Sequence, residues 1–361
     1  MPALLMIALM VLLSIMNMLY KLTINDGMNL KVLVALRFTW ATICLTPVAY
    51  VFERKKRSRL TRLIMFQAFL SGLFGGSLAQ NLYVASVSLT SASFATAMTN
   101  IIPTITFILA VMFRLELLAM RTTAGKAKVM GTLIGLGGAM LLTFYKGVEI
   151  TPWKSSLDLL HHHRDGHNTT TTVGVHPESG SHATGSLLSV GCCISYAIWT
   201  IVQAKLMRSY PYPLSAAMLM CFMASVQALI FALCGDRDRG GWRVGFDIRL
   251  LTVIYTGLAA TAVTLPGMSW CIRKKGPLYS MMFNPLMLVI VSVLGSVFLE
   301  EKLHLGSIFG AVMIIISLYM VLWGKGREQM LSVSMQAGSC TLTESETSSI
   351  SESVIALDET I

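Results

Sequence analysis

Ten apolar runs, each near the length that crosses a bilayer, are what most limits the folds open to this chain. A spanning helix needs about 20 mostly apolar residues. The runs cover about 2–20, 32–52, 63–84, 94–113, 129–145, 186–206, 214–234, 249–270, 278–299 and 306–323. In hydrocarbon every backbone N–H and C=O must be satisfied internally, which leaves helices or a closed barrel. A barrel would show alternating segments of about ten residues, and these runs do not alternate. The chain is therefore expected to be an all-α integral membrane protein with ten transmembrane helices. The first run has no basic segment before it and no small-residue cleavage site after it, so it reads as a span and not a signal peptide. Only 13% of the 361 residues are charged and the mean hydropathy is +0.67. Soluble domains carry about 25% charged residues.

The net charge of +10 would point to nucleic acid in a soluble protein. Here the cations sit mainly between spans, so no nucleic-acid partner is expected. With loops numbered alternately, one side holds 17 Lys and Arg and the other 10, with Arg37 inside a span completing the 28. The positive-inside rule makes the richer side cytosolic and places both termini there. Of the seven cysteines, six lie in or beside apolar runs, none with zinc-type spacing, and they read as small buried hydrophobes.

The segment 147–185 is then extracytosolic. It carries the sequon Asn168-Thr169-Thr170, a glycosylation site on the permitted side, and a His-rich tract (His161, His162, His163, His167, His176, His182). In a Thr/Gly-rich loop that tract reads as solvated linker, so no metal is expected, and no cofactor. The tail after Lys325 is rich in Ser, Thr and Glu and reads as disordered.

The two halves of the chain echo each other. Gly131-xxx-Gly135 opens the fifth helix and Gly306-xxx-Gly310 the tenth. Pro103 leads to Phe113-Arg114-Leu115-Glu116, and Pro285 to Phe298-Leu299-Glu300-Glu301. A five-helix unit ends on the side opposite its start, so its second copy must enter the membrane inverted. Inverted repeats mark secondary transporters, with the site between the halves near the midplane. The GxxxG spacings, with Gly72-xxx-Gly76, let helix backbones approach closely.

Thr99-Asn100-Ile101-Ile102-Pro103 and Asn284-Pro285 interrupt apolar runs at matching places in the halves. A proline inside a helix removes a donor and leaves a carbonyl to be satisfied by protein or by a watery cavity. Asn100, Pro103, Asn284 and Pro285 are therefore the leading substrate-site residues. Amides at membrane depth are costly unless partnered. Asn17, Gln80 and Gln203 join the candidates on that ground, either as substrate contacts or as glue between helices. Arg37 lies about 9 Å below the outer end of its helix, at 1.5 Å per residue. It can snorkel to the headgroups or hold a substrate carboxylate. Trp199 can pack on a substrate or in the core. Glu116, Glu300 and Glu301 fall at helix ends and read as interfacial charges. No acid lies deep in a span, so no buried carboxylate relay is expected. HExxH, GxSxG and Asp-rich diphosphate motifs are absent from the sequence, which argues against a membrane enzyme.

Together these residues resemble a known family. Glu53-Arg54-Lys55-Lys56-Arg57, Gln80-Asn81-Leu82-Tyr83, Thr90-Ser91-Ala92-Ser93-Phe94 running to Asn100-Ile101-Ile102-Pro103, and Phe113-Arg114-Leu115-Glu116 look like the plant walls-are-thin-related, nodulin-like proteins. So do Trp270-Cys271-Ile272-Arg273-Lys274-Lys275-Gly276-Pro277 and Phe283-Asn284-Pro285-Leu286. These are EamA-type members of the drug/metabolite transporter superfamily, and the resemblance runs from the first helix to about Arg327. It implies two inverted five-helix EamA-type repeats, here 1–146 and 186–325, with the loop 147–185 between them and the tail 326–361 after them. It also implies a carrier of amino acids, or alternatively of auxin, in the plasma or vacuolar membrane. A homodimer is compatible with it, as is a non-transporting sensor or scaffold. Two features depart from the family. Fewer residues precede the first helix, and Phe38 follows Arg37 where many members have His.

Overall fold

The computed structural model describes residues 2–25, 30–53, 60–90, 92–116, 122–145, 149–150, 179–235, 248–298, 303–304, 306, 308–328 and 330. We label its helices α1 (Pro2–Asn25), α2 (Leu30–Glu53), α3 (62–89), α4 (92–112), α5 (Thr123–Phe144), α6 (Ser179–Ser209), α7 (Pro213–Gly235), α8 (248–275), α9 (277–298) and α10 (Ile308–Glu328). Among the described residues, eight stretches are long and apolar enough to cross a membrane, in α1–α3 and α6–α10. The apolar helix Ile102–Met112 in α4 is shorter, and α5 is not among the eight. A two-residue antiparallel pair, β1 (Glu149–Ile150) with β2 (Leu303–His304), ties the segments after α5 and before α10. The fold is all-α and multi-pass.

Helices overrun the apolar runs that announce them. The first turns of α6, Ser179 to Gly185, fall in the expected loop, and α10 continues to Glu328. Hydropathy sees the lipid-facing stretch, whereas a helix ends where its backbone does. Lys128 and Lys325, expected as loop cations, therefore lie within α5 and α10, only 1% and 7% exposed. Glu116, expected at an interface, is buried between them. Asn168, the histidines from 161 to 176, Glu300, Glu301 and the tail beyond Met330 lie outside the described residues.

Four helices are irregular, and the irregularities match in pairs. In α3 the helix Arg62–Ser71 passes through a π-helical turn, Gly72–Ser77, into Leu78–Leu89. In α8, Ile248–Tyr255 passes through a second π turn, Thr256–Thr261, into Ala262–Lys275. In α4, Ala92–Thr99 gives way at Asn100-Ile101 to Ile102–Met112. In α9, Pro277–Met281 gives way at Met282-Phe283 to Asn284–Phe298. Pro103 and Pro285 are each the second residue of the later piece, a place where a helix needs no N–H. Each break closes with a tight turn: Ile101 N donates to Met98 O at 3.0 Å, and Phe283 N to Ser280 O at 3.4 Å. Pro47 and Pro266 sit inside the continuous α-helical pieces Leu30–Glu53 and Ala262–Lys275. Proline alone therefore does not make the break.

The packing repeats the pairing. The π turn of α3 lies on α7, where a Cβ on Gly72 would meet the Ala224 backbone at 2.9 Å. The π turn of α8 lies on α2, where a Cβ on Gly257 would meet Trp40 at 2.7 Å. Helices α2 and α7 pack along Val34, Phe38, Ala41 and Leu45 against Ala217, Cys221, Ala224 and Ala228. Helices α5 and α10 close through glycine, with Gly131, Gly135 and Gly138 against Val321, Ser317 and Met313. The main core joins Met6, Leu9 and Met10 of α1 to Ile102, Phe107, Cys193, Trp199, Met268, Leu278 and Phe283.

Candidate functional site

Arg37 is only 5% exposed. Its helix is pinned to α7 by Phe38, Ala41 and Leu45, so the next residue round the turn cannot swing to the headgroups. One terminal nitrogen donates to Tyr20 Oη of α1 at 2.8 Å and faces Met16 Sδ at 3.7 Å. The guanidinium carbon sits 4.5 Å from the centre of the Phe38 ring. That attraction is worth about 2 kcal/mol when desolvated. Phe38 thus supports the cation by its π face. Nε has no partner, and no carboxylate pairs with Arg37 among the described residues. The snorkelling alternative is set aside, because the side chain is buried and tied to α1.

Helices α3 and α6 run antiparallel and are zipped by polar pairs along their length. Ser86 meets Ser189 Oγ and donates to Gly185 O, where a Cβ on Gly185 would press on Leu89. Further along, Gln80 Nε2 donates to Tyr196 Oη. Beyond that the Trp199 ring covers Gly75, whose hydrogen is all the side chain that space admits. At the far end the Gln203 amide accepts from Ser71 at 2.8 Å and donates to Ser269 of α8 at 2.7 Å. Tyr196 is partly buried and lies within electrostatic reach of Arg37, Tyr20, Tyr83 and Cys192. The hydrogen-bonded pairs Arg37–Tyr20 and Gln80–Tyr196, within electrostatic reach of each other, are taken together as a polar girdle across α1, α2, α3 and α6.

The broken helices approach the same centre. Cys193, one turn from Tyr196, donates to Met98 O at 3.1 Å, just before the α4 break. A carbonyl near the break is thus met by protein. Asn100 is 5% exposed and its Nδ2 has no partner. The hydroxyls of Thr104 and Thr106 are likewise buried without one. Asn284 Nδ2 faces Met281 Sδ at 3.6 Å, and Asn17 Nδ2 faces Met287 Sδ at 3.3 Å. Sulfur is a weak acceptor, so both amides keep donor capacity. Pro103 and Pro285 are buried.

The predicted residues thus divide. Arg37 and Gln80 belong to the girdle, and Asn100 sits at the break beside it. Asn17 and Asn284 lie along the α1–α9 contact. Gln203 bridges α3, α6 and α8 some two turns away from Tyr196. Trp199 faces the core, donating to Met220 Sδ at 3.3 Å and meeting Tyr196 edge-on at 6.0 Å. The two Asn-Pro elements also differ in phase: Asn100 lies inside its break, whereas Asn284 starts the helix after its break. Tyr20 and Tyr196 are the candidate residues that sequence reading missed, with Tyr83 nearby. Their signal was a hydroxyl inside an apolar run, masked because tyrosine counts there as an aromatic. Chemically the girdle is rich in donors and carries one positive charge that no acid among the described residues compensates. It suits a carboxylate, which accepts at two oxygens and would neutralise the guanidinium.

The EamA-like transporter family matches residues 1–144 and 183–323. The WAT1-related protein At1g68170 of Arabidopsis thaliana is 40% identical over 313 residues, 87% of this chain and 86% of its own length. The WAT1-related protein At1g25270 of the same plant is 40% identical over 324 residues, 90% and 89% of the two chains. The WAT1-related protein At5g07050, also from Arabidopsis thaliana, is 37% identical over 322 residues, 88% of this chain and 79% of its own. One crystal structure superposes with a TM-score of 0.65 at 16% identity, over 89% of this chain and 96% of that one, a likeness of fold alone.

Proposed function

This chain belongs to the EamA-like transporter family and, within it, to the WAT1-related proteins, and from that premise we propose that it carries amino acids by alternating access. Membership makes it a multi-pass membrane transporter of small solutes. The observation that carries the finer reading is Arg37, a buried cation with no acidic partner among the described residues and with an unpaired Nε. An uncompensated charge at that depth is costly, and such residues in membranes mark substrate or ion pathways. A solute carboxylate supplies what is missing. Asn100 Nδ2 is a further buried donor without a partner. Asn284 and the backbone opened before Pro103 and Pro285 complete the contacts in this reading, with Gln80 and Tyr196 orienting the girdle.

The architecture we propose is ten crossings in two inverted five-helix repeats, 1–146 and 186–325. Both termini and the tail 326–361 are cytosolic, and the loop 147–185 lies outside. Three observations support it. The family matches the chain in two stretches of similar length. The π turns of α3 and α8 and the breaks of α4 and α9 fall in corresponding helices. Each π turn packs on the second helix of the opposite half. The plasma or vacuolar membrane is the setting the resemblance implies.

Auxin, an indole carboxylate, is the competing solute, and it shares the carboxylate. The test is uptake by the purified chain in sealed vesicles, with and without a pH gradient. The panel holds L-glutamine, L-phenylalanine, indole-3-acetate, and the carboxamide of each. Uptake of the amino acids but not their amides is expected. Uptake of indole-3-acetate alone moves the reading to auxin. Amides carried as well as acids, or uptake no better than empty vesicles, would overturn it.

A further inference from the structure

At the end of the bundle that the lysines and arginines mark as cytosolic, four charges meet, three of them buried and Glu328 partly exposed. Lys325 Nζ donates to Glu116 Oε1 at 2.5 Å and to the backbone carbonyl of Lys275. Lys128 Nζ stands 3.9 Å from Glu116 Oε2 and 2.7 Å from Glu328 Oε2. The side chains of Glu116, Lys128 and Lys325 are 4%, 1% and 8% exposed. Two acids and two bases leave the group neutral. Glu116 follows α4 and Lys128 belongs to α5, both in the first half. Lys325 and Glu328 belong to α10, and Lys275 closes α8, all in the second half. The group therefore bonds one half to the other, at the one end of the bundle.

Its surroundings form a stopper. Gly276 joins α8 to α9 with φ of 90°, open to glycine, and a Cβ there would lie 2.6 Å from Glu116 Oε1. The short helix Pro277–Met281 then packs on Ile102–Met112 of α4. Leu278, Met281, Met282 and Phe283 are buried there beside Ile102 and Phe107. On the cytosolic side lies an open cavity of about 310 Å³, lined among others by Glu116, Arg208, Arg273, Gly276, Lys325 and Glu328. The charged group and the apolar stopper thus lie between that cavity and the break at Met282-Phe283. Among the described polar contacts of the opposite end, Thr23–Thr252 and Ser86–Ser189 are pairs of neutral hydroxyls.

We propose that Glu116 and Lys325 are the latch of the cytosolic gate, closed in this conformation and parted when the halves swing open to the cytosol. The inference rests on the alternating-access reading. Opening that end must separate α4 and α5 from α9 and α10, and the latch crosses that line. Ion pairs suit such a place because parting them lets water recover much of their solvation, so the closed and open states stay near in free energy.

The test is thiol labelling in a chain that retains Cys193 and has its other six cysteines replaced by serine. Cys193 lies beyond the stopper, beside the α4 break. A membrane-impermeant maleimide is applied to sealed vesicles from the cytosolic face and, separately, from the outer face. Glu116→Gln and Lys325→Gln should each raise cytosolic-face labelling about tenfold, the scale of an ordinary conformational coupling, with no rise from the outer face. Lys325→Arg, which keeps the charge, should label like the parent. Unchanged rates in both neutral variants would overturn the latch. So would an equal rise from both faces, which reports loosened packing and not a gate. A chain that shows the expected labelling but carries none of the uptake panel keeps the latch and loses the transport reading.

Discussion

Arg37 donates across the α1–α2 contact to the hydroxyl of Tyr20, 2.8 Å away, while its Nε stays without a partner. The tyrosine fixes the guanidinium's direction and leaves part of the fork for something else. Arginine presents donors in a rigid plane that matches a carboxylate. The pair is therefore an oriented cation with spare donors.

Arg37→Gln should lower uptake of a carboxylate solute by about thirtyfold or more, the smaller end of what removing one member of a buried charged pair costs. Arg37→Lys should recover only part, since an ammonium cannot reproduce the fork. Tyr20→Phe should raise KM with a smaller effect. Uptake kinetics normalised to protein in the membrane decide it. Full activity in Arg37→Gln would remove the residue from the site.

Asn100→Ala should cut uptake without cutting membrane abundance, because Nδ2 has no protein partner to lose. Asn284→Ala should do likewise through the weak contact to Met281 sulfur. Normal flux in both variants would end the assignment at the helix breaks.

Gln203→Leu should act on stability instead. The substitution strips Ser71 of its acceptor, while Ser269 loses one bond and still donates to Leu265 O. A buried hydroxyl left unsatisfied costs about 1–3 kcal/mol. The thermal midpoint in detergent should fall, while KM of the protein that remains stays unchanged. A KM shift would return Gln203 to the site.

Gly75→Ala should destabilise by about 1–3 kcal/mol through overpacking against the Trp199 ring. Combining it with Trp199→Leu should restore much of the loss, because the smaller side chain vacates the space the new methyl needs. Thermal midpoints of the two single variants and the double measure this coupling. Simple additivity would mean that the contact does not govern the packing of α3 on α6.

The uneven legibility of these features has a physical cause. Long apolar runs announce helices because lipid tolerates no exposed peptide group, and that rule needs no knowledge of neighbours. Asn100-to-Pro103 and Asn284-Pro285 were legible as breaks for the same reason. The GxxxG spacings marked close contacts, and Gly131 and Gly135 do meet α10. The π turns at Gly72–Ser77 and Thr256–Thr261 left no such mark, since one extra residue per turn alters neither hydropathy nor length. The burial of Glu116 was misjudged because a charge at a helix end looks interfacial until Lys325, 209 residues away, is seen against it.

The sequence by itself determined that the chain lies in a membrane as helices, that its halves echo each other, and where two helices break. Those are consequences of backbone hydrogen bonding in hydrocarbon, a local constraint written residue by residue. Only the tertiary structure decided which polar groups meet. It set Arg37 on Tyr20 and Gln80 on Tyr196, closed Gln203 between two serines, and left Asn100 with a free donor. A buried polar atom's energy depends on the partner it finds, and partners here come from helices far apart in the chain.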